Sequence, residues 1–362
     1  MGTVFTMMIE RLQNAIRETA DFDSALIVSP ENRFYFTGFP SSDGFLLVSA
    51  DRAVFITDGR YIEAAQAKVK DCEVVLMGTA ATQIFELFAE MHVSRVAVEA
   101  SRMTLSQYQK YAAALEPMAL LADSTLDNII CALRAVKQPF EIEKIKAAQK
   151  IAEDAFSYIC TFIQPGKTER EIALALDYYM LSHGAQALSF ETIAVSGAKT
   201  SMPHGVPGEN TVQKGDFVTM DFGAVVDGYH SDMTRTVAVG QISPRQKEVY
   251  KTVLRAQKTV LDTLHAGLSC AAADKAARDV ISAAGYGEYF THSTGHGVGV
   301  EIHEYPSLSP RSQTVLTVGN VVTDEPGIYL PGEFGVRIED MALITENGCK
   351  NLTAAPKELI IL

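Results

Sequence analysis

Positive charge is in short supply in this chain of 362 residues: 31 Lys and Arg face 44 Asp and Glu, a formal net charge of −13. That balance argues against nonspecific nucleic-acid binding, which needs a basic surface. Cysteines are few and scattered, at Cys72, Cys131, Cys160, Cys270 and Cys349. Their number is odd and none forms a Cys-x-x-Cys pair, so no disulfide framework is expected and the thiols read as reduced, in the cytoplasm. No apolar run is long enough to span a bilayer. The start, MGTVFTMMIERLQ, lacks the basic lead and apolar stretch of a signal peptide. These absences predict a soluble, cytoplasmic protein without a membrane partner. What is present is ordinary for a globular chain, with 47% hydrophobic and 21% charged residues. The length suits about two domains.

Residues 1–134 alternate helix and strand patterns. Ala25–Val28, Phe45–Val48, Ala53–Ile56, Val74–Leu76 and Val96–Val98 are short apolar runs of strand type. Helical spacing recurs near Met8–Ile16, Arg60–Lys68, Thr82–Met91 and Leu105–Leu115. The pattern predicts an α/β domain with a largely buried sheet. Asp58-Gly59-Arg60-Tyr61 reads as a turn that caps a helix, and His92 as a surface histidine. Pro139, followed by Glu141 and Glu143, marks a helix start. The second domain is therefore placed at residues 135–362. It contains an internal repeat: a helical stretch (Glu169–Leu181, then Ala272–Ala284) precedes a strand (Lys214–Asp221, then Val318–Glu325). Aligned on Gly215 and Gly319, Asp221 falls on Glu325. A pseudo-two-fold fold with a site on its axis needs such matched acids.

The chemistry centres on Asp221–Thr236, DFGAVVDGYHSDMTRT. Asp227-Gly228 is a strong turn signal between two strand-like stretches, because a type I′ turn needs positive φ at both positions. With that turn Val226 pairs with Tyr229, and Asp221 becomes the diagonal neighbour of Asp232 on one face, about 7–8 Å away at Cα. Two like charges there are costly without a cation, and paired metal ions about 3.5–4 Å apart fit between such carboxylates. Three later residues join them. His296 lies in TGHGVGV, where glycines let backbone crowd around the ring. Glu325 ends the second repeat strand. Glu339 shares a face with Arg337 on an expected strand Val336–Glu339. Four carboxylates and an imidazole suit two divalent ions, with Mn²⁺ favoured and Co²⁺ or Zn²⁺ as alternatives.

His204, Asp221, Asp232, His292, His296, His303, Glu325, Arg337 and Glu339 fall in an order and spacing that resembles the creatinase/methionine-aminopeptidase, or pita-bread, metallopeptidases. The nearest branch is that of Xaa-Pro aminopeptidases and Xaa-Pro dipeptidases (prolidases). The motifs DGYHSDMTRT, STGHGVG, EPGIY and GVRIED carry the resemblance through the second domain. Phe55–Tyr61 extends it to a creatinase-type N-terminal domain. The resemblance implies an α/β first domain and an α+β pita-bread second domain with a pseudo-two-fold repeat. It also implies roles. Asp221 chelates one metal, Asp232 and Glu339 bridge both, and His296 and Glu325 bind the other, with Glu325 also handling protons. His204, His292, His303 and Arg337 surround the substrate and its oxyanion. Tyr329 and the rings of His204 and His303 are expected to wall the proline ring. His183, His230 and His265 match no role and read as structural or exposed.

The expected activity is release of the residue before proline from short peptides with a free N-terminus. A strict Xaa-Pro dipeptidase is the alternative, and a non-catalytic peptide-binding protein a more distant one. The analogy further implies a homodimer in which the first domain shapes the site entrance. Asp324 departs from the pattern, because the family usually has an apolar residue there. Strand alternation points it away from Glu325, and a buried carboxylate there is expected to have a hydrogen-bond or charged partner, or a raised pKa.

Overall fold

The computed structural model describes residues 2–362. It divides into two compact units, the first ending at Arg134 and the second running Ala135–Leu362. In the first, α1 (Gly2–Glu18) precedes β1 (Ser24–Ile27), α2 (Pro30–Thr37), β2 (Phe45–Ser49), β3 (Ala53–Thr57), α3 (Ile62–Lys68) and β4 (Glu73–Leu76). Then come α4 (Ala80–Glu90), β5 (Arg95–Val98), α5 (Leu105–Ala114), β6 (Ala119–Leu121) and α6 (Thr125–Ala135). Six strands make one mixed sheet in the order β4-β3-β2-β1-β5-β6. Each apolar run read as a strand lies in it. Leu26, Leu47, Val54, Ile56 and Val96 pack there against Ile84 and Phe88 of α4. Helix α2 is absent from the sequence reading because its apolar periodicity is poor. Its signal is a cap: the Ser29 side chain accepts from Asn32 N–H, and Pro30 sits in the first turn. The Asp58 turn is present, with the Asp58 side chain accepting the Arg60 backbone N–H at 2.8 Å just ahead of α3, but it does not cap the helix, whose N-cap is Tyr61 without a side-chain bond.

The second unit begins with α7 (Pro139–Phe162), α8 (Glu169–Ser182), β7 (Ala187–Leu188), β8 (Ile193–Ser196), β9 (Phe217–Phe222) and β10 (Ala224–Val226). It continues through β11 (Tyr229–His230), β12 (Met233–Ala238), α9 (Pro244–Thr263), α10 (Cys270–Ala283), β13 (Gly295–Gly297) and β14 (Glu304–Leu308). It ends with β15 (Val321–Asp324), β16 (Gly327–Leu330), β17 (Phe334–Arg337), β18 (Asp340–Thr345) and β19 (Gly348–Asn351). Helix α7 starts where Pro139 predicts. Gln138 and Glu141 form a capping box, and a stripe of Ile145, Ala148, Ala152, Phe156 and Ile159 is buried.

The repeat is visible in three dimensions. Helices α7 and α8 share one core with Val218, Met220 and Phe222 of β9. Helices α9 and α10 share another with Val322 of β15 and Ile344 of β18. Side chains buried in these cores contribute about 1.5–3 kcal/mol each for the large apolar ones. Gly215 and Gly319 precede their strands with φ of 93° and 92°, a left-handed conformation that glycine adopts without strain. The N-cap of each second helix makes a bridge to the chain four residues before that glycine, Thr168 to Thr211 and Ser269 to Val315.

Candidate metal centre

Strands β9 and β12 are antiparallel, pairing Asp221 with Thr234 and Phe222 with Met233. Across the turn Val226 pairs with Tyr229, and Asp227 and Gly228 have φ of 48° and 77°. The pairing is interrupted at Gly223 and Asp232, where the chain passes between two sheets, but the register is the same on both sides, so Asp221 and Asp232 share a face as the hairpin reading requires. His296 lies on β13, squeezed between β14 and β15. A Cβ on Gly295 would overlap the Thr323 carbonyl, so only glycine permits that approach. Glu325 follows β15, and its backbone N–H donates to the Thr294 carbonyl at 2.8 Å. The expected strand Val336–Glu339 is corrected: β17 ends at Arg337 and β18 starts at Asp340. Glu339 sits at the break, where its N–H turns to the Thr234 carbonyl at 3.1 Å instead of continuing a ladder.

These elements bring ligand atoms of Asp232, His296 and Glu339 within 4.8 Å of one another. His296 Nε2 lies 3.5 Å from both Asp232 Oδ2 and Glu325 Oε1. Burial pushes the His296 imidazole down to about 4, so the ring is neutral near pH 7 and these contacts are not ion pairs. With Nδ1 3.1 Å from the Gly297 carbonyl, Nδ1 carries the proton and the Nε2 lone pair faces the carboxylates, the arrangement a metal ligand needs. Burial, then repulsion from Asp221 and Glu325, raises the Asp232 carboxyl well above its usual range. Burial and Asp232 do the same to Glu339, and burial raises Glu325 to about 8 against the pull of Arg337. Asp221 Oδ1 is buried without a hydrogen-bond partner among the described residues, while its Oδ2 accepts from Arg337 Nη2 at 2.6 Å. Crowded carboxylates, an orphaned oxygen and an oriented neutral imidazole fit divalent cations, whose charge would reverse these upward shifts.

Around this group lies a cavity of about 630 Å³. His204 and His303 are exposed at it, with the His303 ring edge-on to His296 at 4.5 Å. His292 also lines it, but both its nitrogens are engaged. Nδ1 lies 2.8 Å from the Ser293 carbonyl, and Nε2 lies 2.8 Å from the Tyr329 hydroxyl. Burial and then Arg337 push His292 down to about 4, so Tyr329 donates to it. Arg337 Nη1 donates to the same hydroxyl at 2.9 Å. Burial opposes the Arg337 charge, yet Tyr329 and Asp221 hold its pKa above the usual value. Tyr329 itself is 4% exposed and is not among the cavity-lining residues. The expected aromatic wall is thus corrected, because this ring lies behind His292 and Arg337. The apolar lining comes from Phe190, Ile193, Pro203, Val206, Pro207 and Ile302.

Thr234 was not singled out by the sequence. Its hydroxyl donates to Glu339 Oε2 at 2.7 Å and accepts from Arg337 Nε at 3.0 Å. Alternation could have found it, since Asp232, Thr234 and Thr236 share a strand face. Asp324 is fully buried, and neither oxygen has a hydrogen-bond partner of normal geometry among the described residues. Of the expected hydrogen-bond or charged partner only the charged one is present, Lys357, together with the raised pKa expected of a buried carboxylate. Asp324 faces Asp340 directly across the β15–β18 pair, and Gln257 nearby donates to Asp340 at 3.0 Å instead. Burial and then Asp340 raise Asp324 well above the carboxylate range, against a weaker pull from Lys357. His183 and His265 are exposed and bonded to nearby carbonyls. His230 lies 2.8 Å from the Ser189 hydroxyl.

Residues 143–346 match the model of metallopeptidase family M24, and residues 8–136 match the creatinase/prolidase N-terminal domain. An Xaa-Pro dipeptidase of Pyrococcus furiosus is 37% identical over 98% of this chain and 100% of that protein. The solved Xaa-Pro dipeptidase of Bacillus anthracis is 42% identical, with a TM-score of 0.95 over 99% of this chain and 100% of that one. The X-Pro aminopeptidase of Thermotoga maritima is 36% identical, with a TM-score of 0.90 over 96% and 100%. Sequence, fold and the ligand-rich cavity thus converge, and the chain belongs to metallopeptidase family M24 as a peptidase with a creatinase-type first domain and a pita-bread second domain.

Proposed function

We propose that this peptidase is a dinuclear, Mn²⁺-dependent Xaa-Pro aminopeptidase that releases the first residue of short peptides with proline in second position. The observation that carries the reading is the gathering of Asp221, Asp232, His296, Glu325 and Glu339 in one cavity. Four carboxylates there face one guanidinium, that of Arg337, so two divalent charges suit the set better than one. Bound ions of this kind lower the pKa of water and polarise a carbonyl. The chain's own residues do the rest. Thr234 and Arg337 hold Glu339 and Asp221 in place. The Gly297 carbonyl fixes the His296 tautomer. His303 and His204, open to the cavity, are placed to donate to an oxyanion and to pass protons.

A peptide bond to proline is a tertiary amide without an N–H. Attack on its carbonyl does not need that N–H, and the ring is held by apolar surface such as Phe190, Ile193 and Ile302. Arg337 is the one Lys or Arg among the described residues that line the cavity, and its guanidinium is already engaged. Among the described residues no unengaged Lys or Arg thus awaits the C-terminal carboxylate of a dipeptide, which favours substrates that continue past proline. The Bacillus anthracis and Pyrococcus furiosus relatives carry the name Xaa-Pro dipeptidase, and this supports the alternative. Hydrolysis of Ala-Pro, Ala-Pro-Ala and Ala-Ala by the Mn²⁺-loaded protein decides. Cleavage of Ala-Pro-Ala well above Ala-Ala is expected. Cleavage of Ala-Pro alone would make it a prolidase, and equal rates on Ala-Ala would remove proline specificity. We place it as a homodimer in the cytoplasm. A fully active monomer in sedimentation would contradict the assembly.

A further inference from the structure

Lys137 and Glu304 form an ion pair at 3.0 Å with side chains only 1% and 3% exposed. A buried pair of this kind is weak evidence for stability, because desolvation offsets much of its attraction. Its surroundings show what else it does. Glu304 directly follows His303 and pairs with Gly297, next to His296, at a bulge between β13 and β14. Its Oε1 accepts the Glu301 backbone N–H at 3.0 Å. A Cβ on Gly299 would collide with the carboxylate, so the backbone of residue 299 presses directly on it. The carboxylate therefore lies under the loop that joins His296 to His303. Lys137 is fixed in turn. Its backbone N–H donates to the Gly319 carbonyl at 2.9 Å, and Asn320 Nδ2 holds the Ala135 carbonyl at 3.0 Å. Glu141 stands close by, held by Gln138 N–H at 2.7 Å and the Tyr229 hydroxyl at 3.1 Å. Its carboxyl is pushed up to about 7, chiefly by burial.

We infer that Lys137 is a positioning residue: through Glu304 it sets the loop that places the His303 ring against His296. The chain of support runs from the first residues of the second unit, through one buried carboxylate, to a side chain open to the cavity. This inference rests on the reading of His303 given above. Misplacing a reacting group by about 1 Å can cost about 10²-fold in rate, even when the altered residue is far from the chemistry.

The test uses the full-length protein. Lys137→Met/Glu304→Gln keeps approximate volume and removes both charges of the pair together. It is expected to lower kcat on Ala-Pro-Ala by about 10–100-fold, with KM within about threefold and metal content unchanged. In the metal-free protein the His303 ring-proton NMR resonance should shift while other histidine resonances remote from the loop do not. Lys137→Arg keeps the charge but moves the carboxylate, and is expected to lower kcat about three- to tenfold with the melting temperature little changed. It supplies the same reading should the double variant fail to fold. Unaltered kcat and an unmoved His303 resonance in a folded variant would overturn the inference and leave the pair a structural one. His303→Ala serves as the control: if that variant retains full turnover, the reading of His303 fails, whatever Lys137 does.

Discussion

The two halves of the second unit share one plan and put it to different uses. Each ties its cavity loop with a buried carboxylate from its second helix. In the first half Glu169 accepts from Ser196 N–H at 2.9 Å, Gly208 N–H at 3.0 Å and Lys199 Nζ at 2.8 Å, enclosing the loop that carries His204. In the second, Asp274 accepts Thr294 N–H at 3.1 Å and Arg278 Nε at 2.6 Å, and Arg278 also donates to the His292 carbonyl. The strands diverge more. Met220 faces Arg235 in the first half, and Asp324 faces Asp340 in the second. Arg235 then meets Asp340 at 2.7 Å between the halves. Thr234 faces Asp221, and Glu339 lies one residue before Asp340; these two bond to each other. The lesson is that equivalent strand positions are free to differ in chemistry where the two halves meet, because each side chain there answers to its partner across the axis.

The largest effect should come from removing the proposed ligands on both sides of that meeting point. Changing Asp232 and Glu339 together to Ala is expected to strip metal and reduce turnover to background. Elemental analysis of dialysed, reconstituted protein checks this, and retention of two ions would sink the assignment. Next is His303, on the second half. His303→Ala should leave metal content near normal and lower turnover by about 10²–10⁴-fold, and steady-state kinetics would show whether His204→Ala on the first half costs as much.

Smaller is the effect of pH on stability. Burial and mutual repulsion raise the carboxyls of Asp232, Glu325 and Glu339 above their unfolded values. The folded metal-free protein then binds more protons than the unfolded chain, so its stability falls as pH rises. The loss should run from the unfolded carboxylate pKa, about 4.3, toward the Glu325 value of about 8. Melting temperatures of chelator-treated protein between about pH 6.5 and 8, above the ordinary histidine pKa so that the lowered His292 and His296 give no opposing slope, should decline, and Mn²⁺ should abolish the decline. A rising or flat profile without metal contradicts the crowding. The smallest effect is Asp324→Val, which makes the second half resemble the first at Met220. A buried carboxylate without a hydrogen bond costs stability, so urea unfolding is expected to show a change between zero and a gain of about 2 kcal/mol. A folded variant with a large loss of activity would mean that Asp324 supports Glu325 instead.

Much of this was legible in the chain. The hairpin register followed from Asp227-Gly228 and period-two alternation, and both are local. The repeat showed in Gly215 and Gly319 because a left-handed turn demands the same residue twice. Helix α2 was lost because one cap and one proline speak more softly than periodicity. The break at Ile338-Glu339 was illegible, since an apolar stretch looks the same whether or not its N–H groups stay in one ladder.

By itself the sequence determined the residue types of a cation site, the hairpin that puts Asp221 and Asp232 on one face, and the glycines that admit His296. Each depends on a turn geometry or a face alternation spanning a few residues. Tertiary structure alone decided that Tyr329 stands behind Arg337, that Asp324 confronts Asp340 without a hydrogen bond, and that Lys137 reaches Glu304. Those are meetings between segments far apart in the chain, fixed by how two cores pack, and no local pattern encodes them.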